Sequence, residues 1–185
     1  MLLLQEICNC RHKNFEMYKI LCLLLICVDF LQAEDHTIQI TWGEMYQGLT
    51  TLLSVKHDKN ATNITWNRNV SENKNPLRAT YKFIYTSLNK TRSANTSNLC
   101  TPAPKGSVME VSQTFLLKTI TNSENCPIKK GTTVSYSTPF KYTYKINKSY
   151  GCGEFKAEMK LFRQNRITNL FPILVHKFGG TVSGC

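Results

Sequence analysis

Acidic residues are scarce in this chain: 12 Asp and Glu stand against 23 Lys and Arg, leaving a net charge of +11. Beyond the leader described below, the only aspartates are Asp35 and Asp58, and the only histidines are His36, His57 and His176. A Ser-His-Asp arrangement would need one of those two aspartates, both close to the N-terminus. The Gly-x-Ser-x-Gly turn that carries a hydrolase nucleophile is missing, and so is a glycine-rich phosphate loop. Glu154 and Glu158 alternate with apolar neighbours and fall on an outward strand face, so a paired-carboxylate site has no support. His176, in Leu174-Val175-His176-Lys177, reads as a surface strand residue rather than a base. No Cys-x-x-Cys or His spacing suits zinc. The expectation is a protein without catalytic residues, without metal and without cofactor.

Long apolar runs are also missing. The longest, Ile20 to Val28, is too short for a bilayer, which takes about 20 residues. Lys19 precedes it, and Asp29 and then Gln32-Ala33 follow it. A basic flank, a short apolar run and a small terminal residue form the signal-peptide pattern, with Ala33 as the last residue before cleavage. Residues 1–33 are therefore read as a leader. Met17-Tyr18-Lys19 would open a conventional one, so either Met17 initiates or the first sixteen residues are an upstream extension. Residues 34–185 form one domain by ordinary size priors. The leader carries Arg11, Lys13 and Lys19 against Glu6, Glu16 and Asp29, so the domain keeps the whole charge.

Two features agree with a secreted, extracellular chain. Asn60, Asn63, Asn69, Asn89, Asn95 and Asn147 each head an Asn-x-Ser/Thr sequon. If glycosylated, they mark exposed loops or outward strand faces. After cleavage four cysteines remain, Cys100, Cys126, Cys152 and Cys185, and an even count in a secreted chain reads as two disulfides. The lysines are spread singly, with Lys129-Lys130 the only adjacent pair. That describes a solvated face, and nucleic acid is not an expected partner.

Strand signals dominate the domain. Ile38, Ile40 and Trp42 alternate with Gln39 and Thr41; Tyr81, Phe83 and Tyr85 with Lys82 and Ile84. The same alternation runs through Phe140, Tyr142, Tyr144 and Ile146, and again through Phe155, Ala157, Met159 and Leu161, with Lys141, Lys145, Lys156, Glu158 and Lys160 between. A period of two puts one apolar face inward and one polar face outward. Turn residues at 73–76, 101–106 and 149–153 separate the runs. The prediction is a mostly β, antiparallel sandwich. From Ser107 to Ile120 the spacing is helical, at Val108, Val111, Phe115, Leu116 and Ile120, and Ser107 with Glu110 offers a capping box. The alternative there is an irregular crossover loop.

The segment Cys126-Pro127-Ile128-Lys129-Lys130-Gly131, leading into a Tyr/Phe-rich strand, resembles the MD-2-related lipid-recognition (ML) family. That family includes the mite group 2 allergens, the Niemann–Pick type C2 carrier and the GM2 activator. Gly153-Glu154-Phe155-Lys156 is similar to the start of the family's next strand. A divergent insect branch, the CheA/CheB chemosensory proteins, shares these elements. The resemblance spans about residues 98–185 and is nearest in layout to the GM2 activator. It implies that Cys100 bonds to Cys126, a separation of 126 − 100 = 26. The GM2 activator ties an N-terminal cysteine to one near its C-terminus. Here no cysteine precedes Cys100 in the domain, so Cys185 pairs with Cys152 or stays free; the pairing Cys152–Cys185 is expected.

The family's fold, an immunoglobulin-like β-cup, implies an apolar ligand between two splayed sheets. Combined with the alternation, that names Phe83, Tyr85, Phe140, Tyr142, Tyr144, Phe155, Ala157, Met159 and Leu161 as walls, with Phe115 and Leu116 as a lid from the helix. The bland reading is that the same residues simply close a core. The leading functional expectation is a secreted carrier or presenter of a lipid, sterol, glycolipid or hydrocarbon pheromone, with a role in chemosensation. The alternative is a secreted glycoprotein module that meets a receptor, an enzyme or a membrane surface, with lipid secondary.

Overall fold

The computed structural model describes residues 34–59, 61–146, 151–164 and 171–185. The leader, Asn60 and Asn147 lie outside the described residues. Among the described residues nine strands and one helix follow in chain order: β1 Glu34–Gln47, β2 Leu53–His57, β3 Thr62–Trp66, β4 Leu77–Tyr85, β5 Lys90–Thr96, α1 Val108–Thr121, β6 Thr133–Tyr136, β7 Phe140–Ile146, β8 Gly153–Arg163 and β9 Leu174–Ser183. A six-stranded sheet has the order β5-β4-β8-β9-β1-β7, and a three-stranded sheet the order β2-β3-β6. All pairings are antiparallel. The fold is mostly β, an antiparallel two-sheet sandwich of cup form with a single helix among the described residues.

The alternation expected from the sequence is realised in β4, β7 and β8. Phe155, Ala157, Met159 and Leu161 are buried while Glu154 and Lys156 face water. Lys141, Thr143 and Lys145 are exposed, and Tyr142 and Ile146 are buried. In β4, Tyr81 and Tyr85 are buried and Ile84 faces out. β1 departs from the expectation. Its register against β9 shifts between Ile40 and Trp42, so Thr41 is an extra residue. Such a bulge reverses the facing of all that follows. Ile38 and Ile40 point inward, Trp42 is 42% exposed on the outer face, and Met45 takes the inward role.

The helix forms where its spacing predicted. Ser107 caps it, with its hydroxyl accepting from the Glu110 N–H at 3.1 Å. The reciprocal bond of the capping box lands one residue early: the Glu110 carboxylate accepts from Gly106 N–H, not from Ser107. Asn122, in the left-handed region at φ 59°, ends the helix by donating its N–H to the Lys118 carbonyl. The helix is tied to the sandwich near both ends. Gln113 Nε2 donates to the carbonyls of Leu99 and Thr101, and Trp66 Nε1 donates to the Ile120 carbonyl at 2.9 Å. These bonds satisfy buried polar groups that would otherwise cost about 1–3 kcal/mol each.

Two disulfides are present. Cys100–Cys126 closes the loop that carries α1, and Cys152–Cys185 pins the start of β8 to the chain end. The free alternative for Cys185 is thereby set aside. Gly153, at φ 118°, opens β8 in a conformation L side chains rarely adopt, and a Cβ there would meet Ser87 Oγ at 2.4 Å.

Candidate functional site

Register across the large sheet arranges its inner face in rows. One row runs Tyr81, Met159, His176, Met45; the next Phe83, Ala157, Phe178, Gly43; the next Tyr85, Phe155, Gly180, Ile40, Phe140. Because inward positions repeat every second residue, aromatic side chains of neighbouring strands meet across rows. Phe178 is their centre. It lies 5.3 Å from Phe115, 5.9 Å from Phe155, 6.2 Å from Phe83 and 4.5 Å from His176, ring centre to ring centre. Phe115 also meets Tyr142 at 5.4 Å and Phe140 at 6.2 Å. Edge-to-face and tilted pairs at these distances are favourable beyond their buried area.

The predicted wall residues are thus largely brought together. Phe83, Tyr85, Phe115, Phe140, Tyr142 and Phe155 form a linked aromatic cluster, and Tyr144 stacks on Tyr142 at 6.3 Å. Ala157, Met159, Leu161 and Leu116 are buried in the same core. Phe83, Phe140 and Tyr144 are only partly buried and pack against its margin. Tyr142 shares a 2.9 Å hydrogen bond with Thr114 of the helix. Burial pushes the Tyr81, Tyr136 and Tyr144 hydroxyls well above the ordinary tyrosine value, so none carries charge.

The sequence reading misplaced His176. It is not a surface residue; it is 1% exposed, between Leu174 and Phe178 on the inner face of β9. Burial lowers its pKa to about 3, so the ring is neutral near pH 7. Among the described residues neither ring nitrogen has a hydrogen-bond partner, and neither does the hydroxyl of Tyr136, 4% exposed and 4.9 Å from the imidazole. Its signal was available: Val175 and Lys177 alternate outward, which leaves Leu174, His176 and Phe178 inward. Tyr136, at the end of the short β6, offers a weaker signal.

Both polar groups sit beneath Gly43. A Cβ on that glycine would lie 2.7 Å from Tyr136 Oη and 3.3 Å from His176 Nε2. Here β1 has lost its second neighbour, because β7 pairs only with Glu34 to Ile40. The unpaired edge faces the β2–β3 turn and the β6–β7 crossover across a groove of about 670 Å³, lined by Gly43, Met45, Thr62, Tyr136 and Thr138 among others. A second groove, about 390 Å³, lies at the far end of β1 between Leu49, 95% exposed, and Phe171, 74% exposed.

The remaining candidates separate cleanly. Asn69, Asn89 and Asn95 are exposed and Asn63 is half-buried, so all four described sequon side chains reach solvent. The only cluster of metal-ligating residue types among the described residues is His36 with Cys152 and Cys185, and both sulfurs there belong to the disulfide. No described helix is long and apolar enough to cross a membrane.

No protein-family model and no curated protein matches the chain. Among solved structures it is similar to a Niemann-Pick type C2 protein from Japanese carpenter ant, at 11% sequence identity over 81% of this chain and 94% of that one, with a TM-score of 0.31.

Proposed function

We propose that this protein is a secreted carrier or presenter of a hydrophobic small molecule, held between the two sheets against the aromatic cluster around Phe178. The observation that carries this reading is the composition of the inner face: Phe83, Phe115, Phe140, Phe155 and Phe178 interlock across four strands and the helix, and partly exposed rings stand at the margin. Such a surface rewards hydrocarbon by roughly 0.8 kcal/mol per buried methylene. Two disulfides and solvent-facing sequons suit the secretory pathway, with residues 1–33 acting as leader. The ligand belongs to the lipid, sterol, glycolipid or hydrocarbon-pheromone class, and a chemosensory role is part of the proposal.

Organic extraction of protein secreted by eukaryotic cells, followed by mass spectrometry, tests this. Recovery of a near-stoichiometric apolar compound supports the reading; ligand-free protein that also takes up no added lipid overturns it. A second reading, docking on a receptor, an enzyme or a membrane surface, is favoured by the exposed Leu49 and Phe171 beside the second groove. Capture of a receptor ectodomain by lipid-free protein would support it.

A further inference from the structure

The aromatic interior does not end in hydrocarbon. At its β1 edge, the chain of ring contacts Phe115–Phe178–His176–Tyr136 runs from the helix to the wall of the 670 Å³ groove. The last two members are polar, almost wholly buried, and without a hydrogen-bond partner among the described residues. A buried hydroxyl or imidazole left unbonded costs about 1–3 kcal/mol. Phenylalanine would fill either position without that cost. The groups also share a direction, since both crowd the space over Gly43, where any side chain would collide with them.

We propose that Tyr136 and His176 are the polar anchor of the ligand site, and that they select a hydrophobic molecule bearing one uncharged oxygen function, an alcohol, ketone or ester, admitted through the groove beside Gly43. The inference rests on the carrier reading above and narrows it to a ligand class. The chemistry follows from the donor set. A phenol donates one hydrogen bond and accepts others; a neutral imidazole offers one N–H and one lone pair. Together they can bond both to a hydroxyl, which donates and accepts, and to a carbonyl, which only accepts. Lys59 lines the groove together with Glu44 and Asp58, but neither of the two buried groups is a cation, so an ionised carboxylate bonded to them would be buried without a counter-charge at the anchor, which is costly. The groove lies within the size range of small-molecule sites, and Met45 and Tyr136 are among the residues that line it.

The experiment compares three C12 probes, 1-dodecanol, n-dodecane and dodecanoate, by displacement of a bound fluorescent naphthylamine from the intact secreted protein. The wild type should bind the alcohol at least tenfold more tightly than the alkane or the carboxylate. Tyr136→Phe keeps the ring and removes the hydroxyl. It should reduce the alcohol preference about tenfold, the equivalent of one hydrogen bond, while alkane affinity and melting temperature hold or rise. His176→Phe should act in the same direction. If wild type and Tyr136→Phe bind alcohol and alkane in the same ratio, the anchor assignment is wrong while the carrier reading survives. If no probe displaces the fluorophore, both fail.

Discussion

The two ends of the interior are built to different rules. Around Phe178, Phe155 and Phe115 every ring meets another ring, and the hydroxyl of Tyr142, which packs on Phe115, is hydrogen-bonded to Thr114. Around His176, one row away on the same sheet face, and Tyr136 of the smaller sheet against it, the rings bear polar atoms with no partner among the described residues. Both ends are equally dry. Tyr81 also buries an unbonded hydroxyl, at the β4 end of the same row, but Tyr136 is the one of these groups that lines a groove, and this is the difference on which the proposed recognition role rests.

Substitutions at the apolar end should have the largest effects. Phe178→Ala removes the ring at the centre of the cluster and should lower stability by about 3–5 kcal/mol, read from denaturant unfolding. Next comes the covalent brace at the margin. Replacing Cys152 and Cys185 by Ala frees a 33-residue loop and should cost about 3–4 kcal/mol on chain-entropy grounds. Peptide mapping of unreduced protein should recover Cys100–Cys126 and Cys152–Cys185 as separate pairs.

The polar end should answer to pH. His176 has a folded pKa of about 3, below the unfolded value near 6.5. The unfolded chain therefore binds the proton first. The contribution to stability is whole above pH 6.5 and is lost as pH falls from 6.5 towards 3, at about 1.4 kcal/mol per pH unit for this group. His176→Phe should flatten that part of the stability profile relative to wild type. The smallest effect is expected at Tyr136: Tyr136→Phe should leave stability unchanged or raise it by about 1 kcal/mol, since it removes an unbonded buried hydroxyl. A loss of several kcal/mol at Tyr136 would erase the distinction between the two ends.

Much of the apolar end was legible in the sequence, because the alternation in 81–85, 140–146 and 155–161 states which face is wet wherever lysines sit between rings. The helix was legible from its spacing and its Ser107 cap. The polar end was not, for three physical reasons. The bulge at Thr41 breaks the period of two without a proline or a charge to announce it, and only Gly43 hints at a close backbone approach. It sends Trp42 outward and Met45 inward. A histidine in a strand is assigned to water by its polarity, although its neighbours Val175 and Lys177 already occupy the outward positions. The groove lies beside the part of β1 that β7 leaves unpaired beyond Ile40, a matter of register between strands a hundred residues apart.

The central claim, that the aromatic interior receives a ligand, is tested most directly at Ala157. This small residue lies between Phe83 and Phe178 in one row of the inner face. Ala157→Leu adds bulk there, which in a close-packed core costs roughly 1–3 kcal/mol. The measurement is binding of a fluorescent fatty-acid derivative with an uncharged ester head to wild type and variant, with thermal melts alongside. A ligand site predicts that probe binding falls at least tenfold while the variant still folds. A drop in melting temperature with probe binding unchanged would show that these residues are ordinary core, and would contradict the account.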